Sequence, residues 1–242
     1  SQVPDISADG RLVAFWSAAT NLVANDTNGV PDVFVHDRLN HTTERVSVDL
    51  LGGEANGESW GASVSGDGRY VSFCSDASNL VSGDVNGAMD AFVRDRTLGT
   101  TIRASVSSSG IEGNGRSCMN SAGDISTDGR YMVFPSVADN LVPNDFNGEN
   151  DVFVRDLVAG TTERISISSG GSEGNSLSAW PALDDDGRYV VYSSYSTNLV
   201  SGDGNGTWDI FLRDRQAGTT ERVSLGAAGE ANLNSGYASV SD

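Results

Sequence analysis

The 242 residues carry 33 acidic and 15 basic side chains, for a net charge of −18, and none of the basic residues is lysine. That balance excludes the basic face a nucleic-acid partner needs. No apolar run approaches the ~18 residues of a membrane span, and two cysteines are too few for a disulfide scaffold.

The chain repeats itself four times. Asp-Gly-Arg recurs at Asp9, Asp67, Asp128 and Asp186, in steps of 58, 61 and 58 residues, which divides the chain into repeats 1–58, 59–119, 120–177 and 178–234. A short first strand precedes each Asp-Gly, as at 4–7 and 62–65. Asp-Gly is a hairpin turn signal because both residues tolerate positive φ. A second strand follows at 12–15, 70–73, 131–134 and 189–192. A third starts on the last Asp of an acidic loop, at Asp32, Asp90, Asp151 and Asp209. A Gly/Asn/Thr turn then leads to a fourth at 43–47, 101–105, 162–166 and 220–224. These β-branched and aromatic runs have no competing helical period. The pattern predicts an all-β fold: a single β-propeller domain of four ~58-residue, four-stranded repeats, each covering the next. Residues 235–242 repeat residues 1–8, so the first strand is present five times. We read this as a piece of a longer array, or else as a terminal copy that is displaced or self-associates with a neighbouring molecule.

Between the second and third strands the repeats share Asp-x-Asn-Gly-x-x-Asp: Asp26, Asn28 and Asp32; Asp84, Asn86 and Asp90; Asp145, Asn147 and Asp151; Asp203, Asn205 and Asp209. Hard cations take oxygen ligands from tight loops with Gly at the bend. A turn needs the Gly but not two acids and an amide at fixed offsets. The expectation is Ca²⁺ in up to four sites, with a backbone carbonyl added by Val30, Ala88, Glu149 and Thr207. No carboxylate stands at the first position of such a loop. Each would therefore supply about four of the roughly 6–8 ligands Ca²⁺ takes, leaving water or other carbonyls to complete the shell.

Strand direction puts these loops on one face with the connections between repeats. Those connections share Glu-x-Asn-x-x-Ser, at Glu54, Glu112, Glu173 and Glu230. Its polar groups either add ligands or satisfy the backbone of a long loop; the second reading is favoured. Cys74 and Cys118 fall on this face between neighbouring repeats, as a disulfide or as two small buried thiols. Trp60, Trp180 and Tyr237 lie on the connections and Trp208 in the fourth loop. They read as inter-blade packing, or as a ligand face on which sugar rings stack.

Ser-x-Asp-Gly-Arg-Tyr-Val-x-Phe, at 65–73 for instance, resembles the WD-like repeats of TolB-type propellers. The long period with Asn-Leu-Val-x-x-Asp-x-Asn-Gly-x-x-Asp-x-Phe-x-x-Asp-Arg resembles a calcium-associated branch found in large exported bacterial proteins. The resemblance covers the whole chain. It implies a secreted, extracellular protein whose leader has been removed, and a scaffold or interaction role rather than a named activity.

Chemistry is sparse. The two histidines, His36 and His41, make no zinc spacing, and His36 replaces the Arg94, Arg155 and Arg213 of the other repeats. No Gly-x-Ser-x-Gly elbow is present. No unique acidic pair breaks the repeat symmetry, as glycoside hydrolysis would ask. Leu157 for Arg and Ile102 for Glu are mild departures. The expected function is a non-catalytic, calcium-binding extracellular propeller with a structural role or a protein or glycan partner. The alternatives are a calcium-dependent carbohydrate-binding propeller and a fragment of a propeller enzyme such as a glycosidase.

Overall fold

The computed structural model describes residues 4–119, 123–226, 229–236 and 238–240. Tyr237 and the side chain of Glu230 lie outside this description. Among the described residues there is no helix, and so none long and apolar enough to cross a membrane.

Four antiparallel four-stranded sheets follow one another as blades. The first holds β1 (Asp5–Ile6), β2 (Leu12–Ser17), β3 (Asp32–Asp37) and β4 (Thr42–Arg45). The second holds β5 (Ser59–Val64), β6 (Tyr70–Ser75), β7 (Asp90–Asp95) and β8 (Thr100–Arg103). The third holds β9 (Asp124–Ile125), β10 (Tyr131–Ser136), β11 (Asp151–Asp156) and β12 (Thr161–Arg164). The fourth holds β13 (Ser178–Leu183), β14 (Tyr189–Ser194), β15 (Asp209–Asp214) and β16 (Thr219–Arg222), followed by the small hairpin β17 (Leu225–Gly226) and β18 (Gly229–Glu230). Strand order equals chain order, as hairpin connections dictate. The second strands run two residues past the expected ends because Ser17, Ser75, Ser136 and Ser194 still pair with the loop's last Asp.

The two faces of each second strand serve different neighbours. Val71 and Phe73 pack on Leu12, Ala14, Val33 and Val35 of the first blade. Cys74, on the opposite side, joins the cluster of Met132, Phe134 and Leu141 of the third. A further cluster of Val152, Val154 and Ile165 against Val190, Tyr192 and Leu199 joins blades three and four. Both sheet faces are thus buried, which is why these strands read as near-continuous apolar runs. Cys74 and Cys118 form a disulfide with Cα atoms 6.2 Å apart, tying blade two to the start of blade three.

An ion pair repeats across blade boundaries. Arg96 meets Glu44 between blades one and two, and Arg215 meets Glu163 at 2.7 Å between blades three and four. At the middle boundary the corresponding residues are Leu157 and Ile102. The two departures are therefore one exchange of an ion pair for an apolar pair. A cleft of about 360 Å³ lies there, lined by Tyr70, Ile102, Leu157 and Val158.

Candidate functional site

The acidic loops turn as their sequences ask. Gly29, Gly87, Gly148 and Gly206 take φ of 63 to 72°. The residue before each first Asp is also left-handed, and it is Asn25, Gly83, Asn144 or Gly202, the residue types that tolerate αL. This brings the two Asp of each loop together, and in the first three repeats the connection's Glu folds back onto them. Glu54 Oε1 accepts from Thr27 N at 2.6 Å and Asn28 N at 3.2 Å. Glu112 accepts from Val85 N and Asn86 N, and Glu173 from Phe146 N and Asn147 N. Each Glu therefore staples the loop of its own repeat. The Asn two residues on reaches the next repeat: Asn56 and Asn79, Asn114 and Asn140, and Asn175 and Asn198 bond across the boundary.

The centre of each cluster is a residue that pattern reading passed over. Arg45 Nη1 lies 3.3, 3.1 and 3.1 Å from Asp26, Asp32 and Glu54. Arg103 stands in the same way among Asp84, Asp90 and Glu112, and Arg164 among Asp145, Asp151 and Glu173. Arg222 meets Asp203 at 3.0 Å and Asp209 at 3.3 Å. Its recurrence 13 residues after the loop's last Asp was the available signal. Ser47, Ser105, Ser166 and Ser224, two residues further, donate to the same buried Asp.

The Asn side chains differ from expectation. The amide oxygens of Asn28, Asn86, Asn147 and Asn205 accept from the N–H of Val30, Ala88, Glu149 and Thr207 at 2.8 to 3.2 Å. Their amide nitrogens donate to Asp32, Asp90, Asp151 and Asp209 and to a carbonyl of the following connection. The cluster thus meets an N–H donor, not an oxygen ligand. The Asn holds the bend, because its side chain can mimic a turn's own backbone bond.

Charge does not balance. Three carboxylates and one guanidinium leave a surplus of two negative charges in each complete cluster. In the second and third blades the carboxylate oxygens lie within 4.8 Å of one another. Burial, and then the neighbouring Asp90, pushes Asp84 up to about 6; burial and Asp151 push Asp145 up to about 7. Asp26 Oδ1 is buried and makes no hydrogen bond despite its 3.3 Å approach to Arg45. Glu54 goes the other way, pulled down to about 2 by the Thr27 N–H and hydroxyl.

Two acids do break the repeat symmetry. Asp5 and Asp124 occupy first-strand positions held elsewhere by Ser63 and Ala182, and both lie on the Ser63 hydroxyl, at 2.9 and 2.7 Å. They also accept from Val64 N and Leu183 N of the following blades. One hydroxyl proton cannot serve two carboxylates at once, and burial raises Asp124 above the ordinary carboxylate range. The pair latches inner strands together.

Trp60 packs on the cluster between blades two and three. Trp180 and Trp208 meet at 4.6 Å between ring centroids, with Tyr195, unnoticed in the sequence, 4.7 Å from Trp208. Trp180 takes φ of 51° at a bulge whose counterpart in blade two is Gly61.

No family model matches the chain. No curated protein matches it either. Among solved structures it is similar to TolB from Acinetobacter baumannii, at 19% identity and TM-score 0.52 over 91% of this chain and 42% of that one. It is similar to the protein assigned as TolB in Agrobacterium tumefaciens, at 20% identity and TM-score 0.56 over 95% of this chain and 67% of that one. The β-propeller domain of the Trilobed protease from Pyrococcus furiosus, described as having an open velcro topology, matches at 13% identity and TM-score 0.52 over 91% of this chain and 55% of that one. The fold is a TolB-like β-propeller, and at these identities the likeness extends to fold alone.

Proposed function

We propose that this chain is a non-catalytic, exported propeller module whose loop face holds a protein or glycan partner, and that calcium stiffens that face. The observation that carries the calcium reading is the charge surplus at Asp84, Asp90 and Glu112 and at Asp145, Asp151 and Glu173, three close carboxylates around one guanidinium. Carboxylates suit a hard divalent ion, and Asp26 Oδ1 is a buried acceptor still without a donor. The Asn amides do not fit as ligands, since they turn N–H toward the cluster. The shell we propose is therefore Asp, Asp and Glu of each loop, completed by water and by the carbonyls of Val30, Ala88, Glu149 and Thr207. When bound, the ion would supply charge and oxygen coordination. The chain's own Arg45, Arg103, Arg164 and Arg222 hold the acids in place with or without it.

A scaffold role is supported by the repetition of the acidic clusters from blade to blade, and by the latching use of Asp5 and Asp124, the acids that differ. Sugar binding is the second reading. It is favoured by the gathering of Trp180, Tyr195 and Trp208, because aromatic faces suit pyranose rings.

Thermal unfolding in millimolar Ca²⁺ and in chelator tests the calcium reading. A ligand that binds only the folded state raises the midpoint by mass action, with an affinity expected in the 10⁻⁴–10⁻³ M range of extracellular modules. Equal midpoints in the two conditions would refute it. Glycan binding that disappears with chelator would move the conclusion to the second reading.

A further inference from the structure

The boundary between blades two and three departs from its neighbours at the end of the third strands away from the acidic loops. At the first boundary Arg96 donates to the Glu44 carboxylate and to the Gly68 carbonyl. At the third, Arg215 donates to Glu163 at 2.7 Å and to the Gly187 carbonyl. Its guanidinium also lies over the Tyr131 ring, 4.4 Å from the centroid. That ring carries two guanidinium groups, since Arg130 lies 4.8 Å from the same centroid.

The middle boundary keeps much of this seat without its occupant. Gly129 takes φ of 70°, against 73° and 69° for Gly68 and Gly187, so the turn that presents the carbonyl is the same. Tyr70 stands where Tyr131 does, and its ring carries Arg69 at 4.8 Å. Among the described residues no second guanidinium lies over it. Leu157 holds the position that would bring one, and Ile102 holds the position of the Glu. Leucine reaches less far than arginine and has no donor. Leu157 packs with Tyr70 on the apolar cluster of this boundary, and a cleft of about 360 Å³ opens there. On its walls Ile102 is 46% exposed and Val158 77%. Asp128 lines it too, an exposed acid whose Oδ1 accepts from the Ser126 hydroxyl and the Arg130 N–H.

We propose that this cleft receives an arginine side chain of a partner protein. The guanidinium takes the second place over Tyr70 and donates to the Gly129 carbonyl, as Arg215 does at the third boundary. Its aliphatic stem lies on Ile102, Leu157 and Val158, and Asp128 supplies the carboxylate that Ile102 does not. Arginine suits both halves of the cleft, because its stem is apolar and its planar head stacks on aromatic rings. A net charge of −18 draws a cationic partner. The exposed Val158 offers further apolar contact to the residues flanking that arginine, which favours a peptide chain over the free amino acid. The site lies at the opposite end of the blades from the acidic loops, so it stands or falls independently of calcium.

Methyl NMR of the whole chain, titrated with N-acetyl-arginine amide, tests this. Saturable shifts are expected at the Ile102 and Val158 methyls, with a dissociation constant in the millimolar range. N-acetyl-citrulline amide, of the same shape without the charge, should bind several-fold more weakly, and N-acetyl-norleucine amide should do the same. Ile102→Glu with Leu157→Arg rebuilds the pair found at the other two boundaries, and should abolish the response at Val158 while the fold is kept. Tyr70→Leu, the residue type that Leu12 supplies in blade one, should weaken binding about two- to five-fold. The proposal is overturned by shifts that never saturate, by citrulline or norleucine probes that bind as well as arginine, or by undiminished binding in the rebuilt pair. Free arginine binding more tightly than the capped form would also overturn it, since the occupant would then be a small molecule.

Discussion

Each blade carries an arginine–carboxylate device at either end of its third strand, and the two differ in charge balance. At the Asp-Gly-Arg end, Arg11, Arg69, Arg130 and Arg188 each meet one Asp through two nitrogens, at 2.6 to 2.8 Å for the closer contact. One charge answers one charge. The Arg11 guanidinium holds the Asp37 carboxyl well below the usual carboxylate range, and Arg188 holds Asp214 at about 2. At the loop end one guanidinium faces three carboxylates, and burial with like-charge crowding pushes Asp84, Asp145 and Asp151 up to about 6, 7 and 6. The same functional groups are thus a closed pair at one end and a site short of cation at the other. What separates them is stoichiometry and burial, not residue type.

Removing the lone cation should separate the ends most. Arg164→Met leaves three carboxylates without an answering charge in a setting where the Arg side chain is 8% exposed. A loss of about 3–5 kcal/mol is expected in denaturant unfolding, as for a broken buried pair. Added Ca²⁺ should recover part of it.

The pH profile should show both ends in one experiment. In chelator, the raised groups Asp84, Asp145 and Asp151 bind protons more readily folded than unfolded. Stability should therefore rise as pH falls from about 8 toward 5, where they become neutral. The lowered groups Asp37, Asp95, Asp156 and Asp214 act in the opposite sense. Their contribution is present above the ordinary carboxylate pKa and is lost as pH falls through their folded values, so stability should drop below about pH 4. Unfolding midpoints across this range check both limbs. A monotonic fall from pH 8 would contradict the crowded end.

Asp145→Asn removes one surplus charge. In chelator it should leave stability unchanged or raise the midpoint by about 2–4 °C, on the order of 1 kcal/mol for a chain of this size. It should also reduce the midpoint's response to Ca²⁺ in calorimetry. The smallest effect belongs to the balanced end. Arg130→Met removes a pair whose Arg is 42% exposed, and the expected loss is about 0.2–1 kcal/mol by denaturant midpoint.

How far the sequence could be read follows from what each feature depends on. The blades were legible because strand runs and Asp-Gly turns are local, and four copies repeat them in register. The bend of the acidic loop was legible for the same reason, through Gly87 and its counterparts. Which atoms the loop turns toward its acids was not. Spacing places Asn86 beside Asp90, but only the folded loop decides that its oxygen faces Ala88 N and its nitrogen faces the acid. Arg103 was visible as a repeated letter on the fourth strand, yet nothing along the chain says that a residue 13 positions on returns to the loop. Ile102 and Leu157 read as two unrelated departures until the boundary between blades two and three brought them together. Asp5 and Asp124 were missed as a pair because they lie on different repeats and meet only through Ser63.

By itself the sequence determined the repeat, the strand pairing within each blade and the placing of acids on one face, because these depend on neighbours a few residues apart. The tertiary structure alone decided the Arg at the centre of each acidic cluster, the Cys74–Cys118 link and the meeting of Asp5 and Asp124 on Ser63. Those depend on which surfaces meet when blades stack, a property of packing geometry that residue order constrains only indirectly.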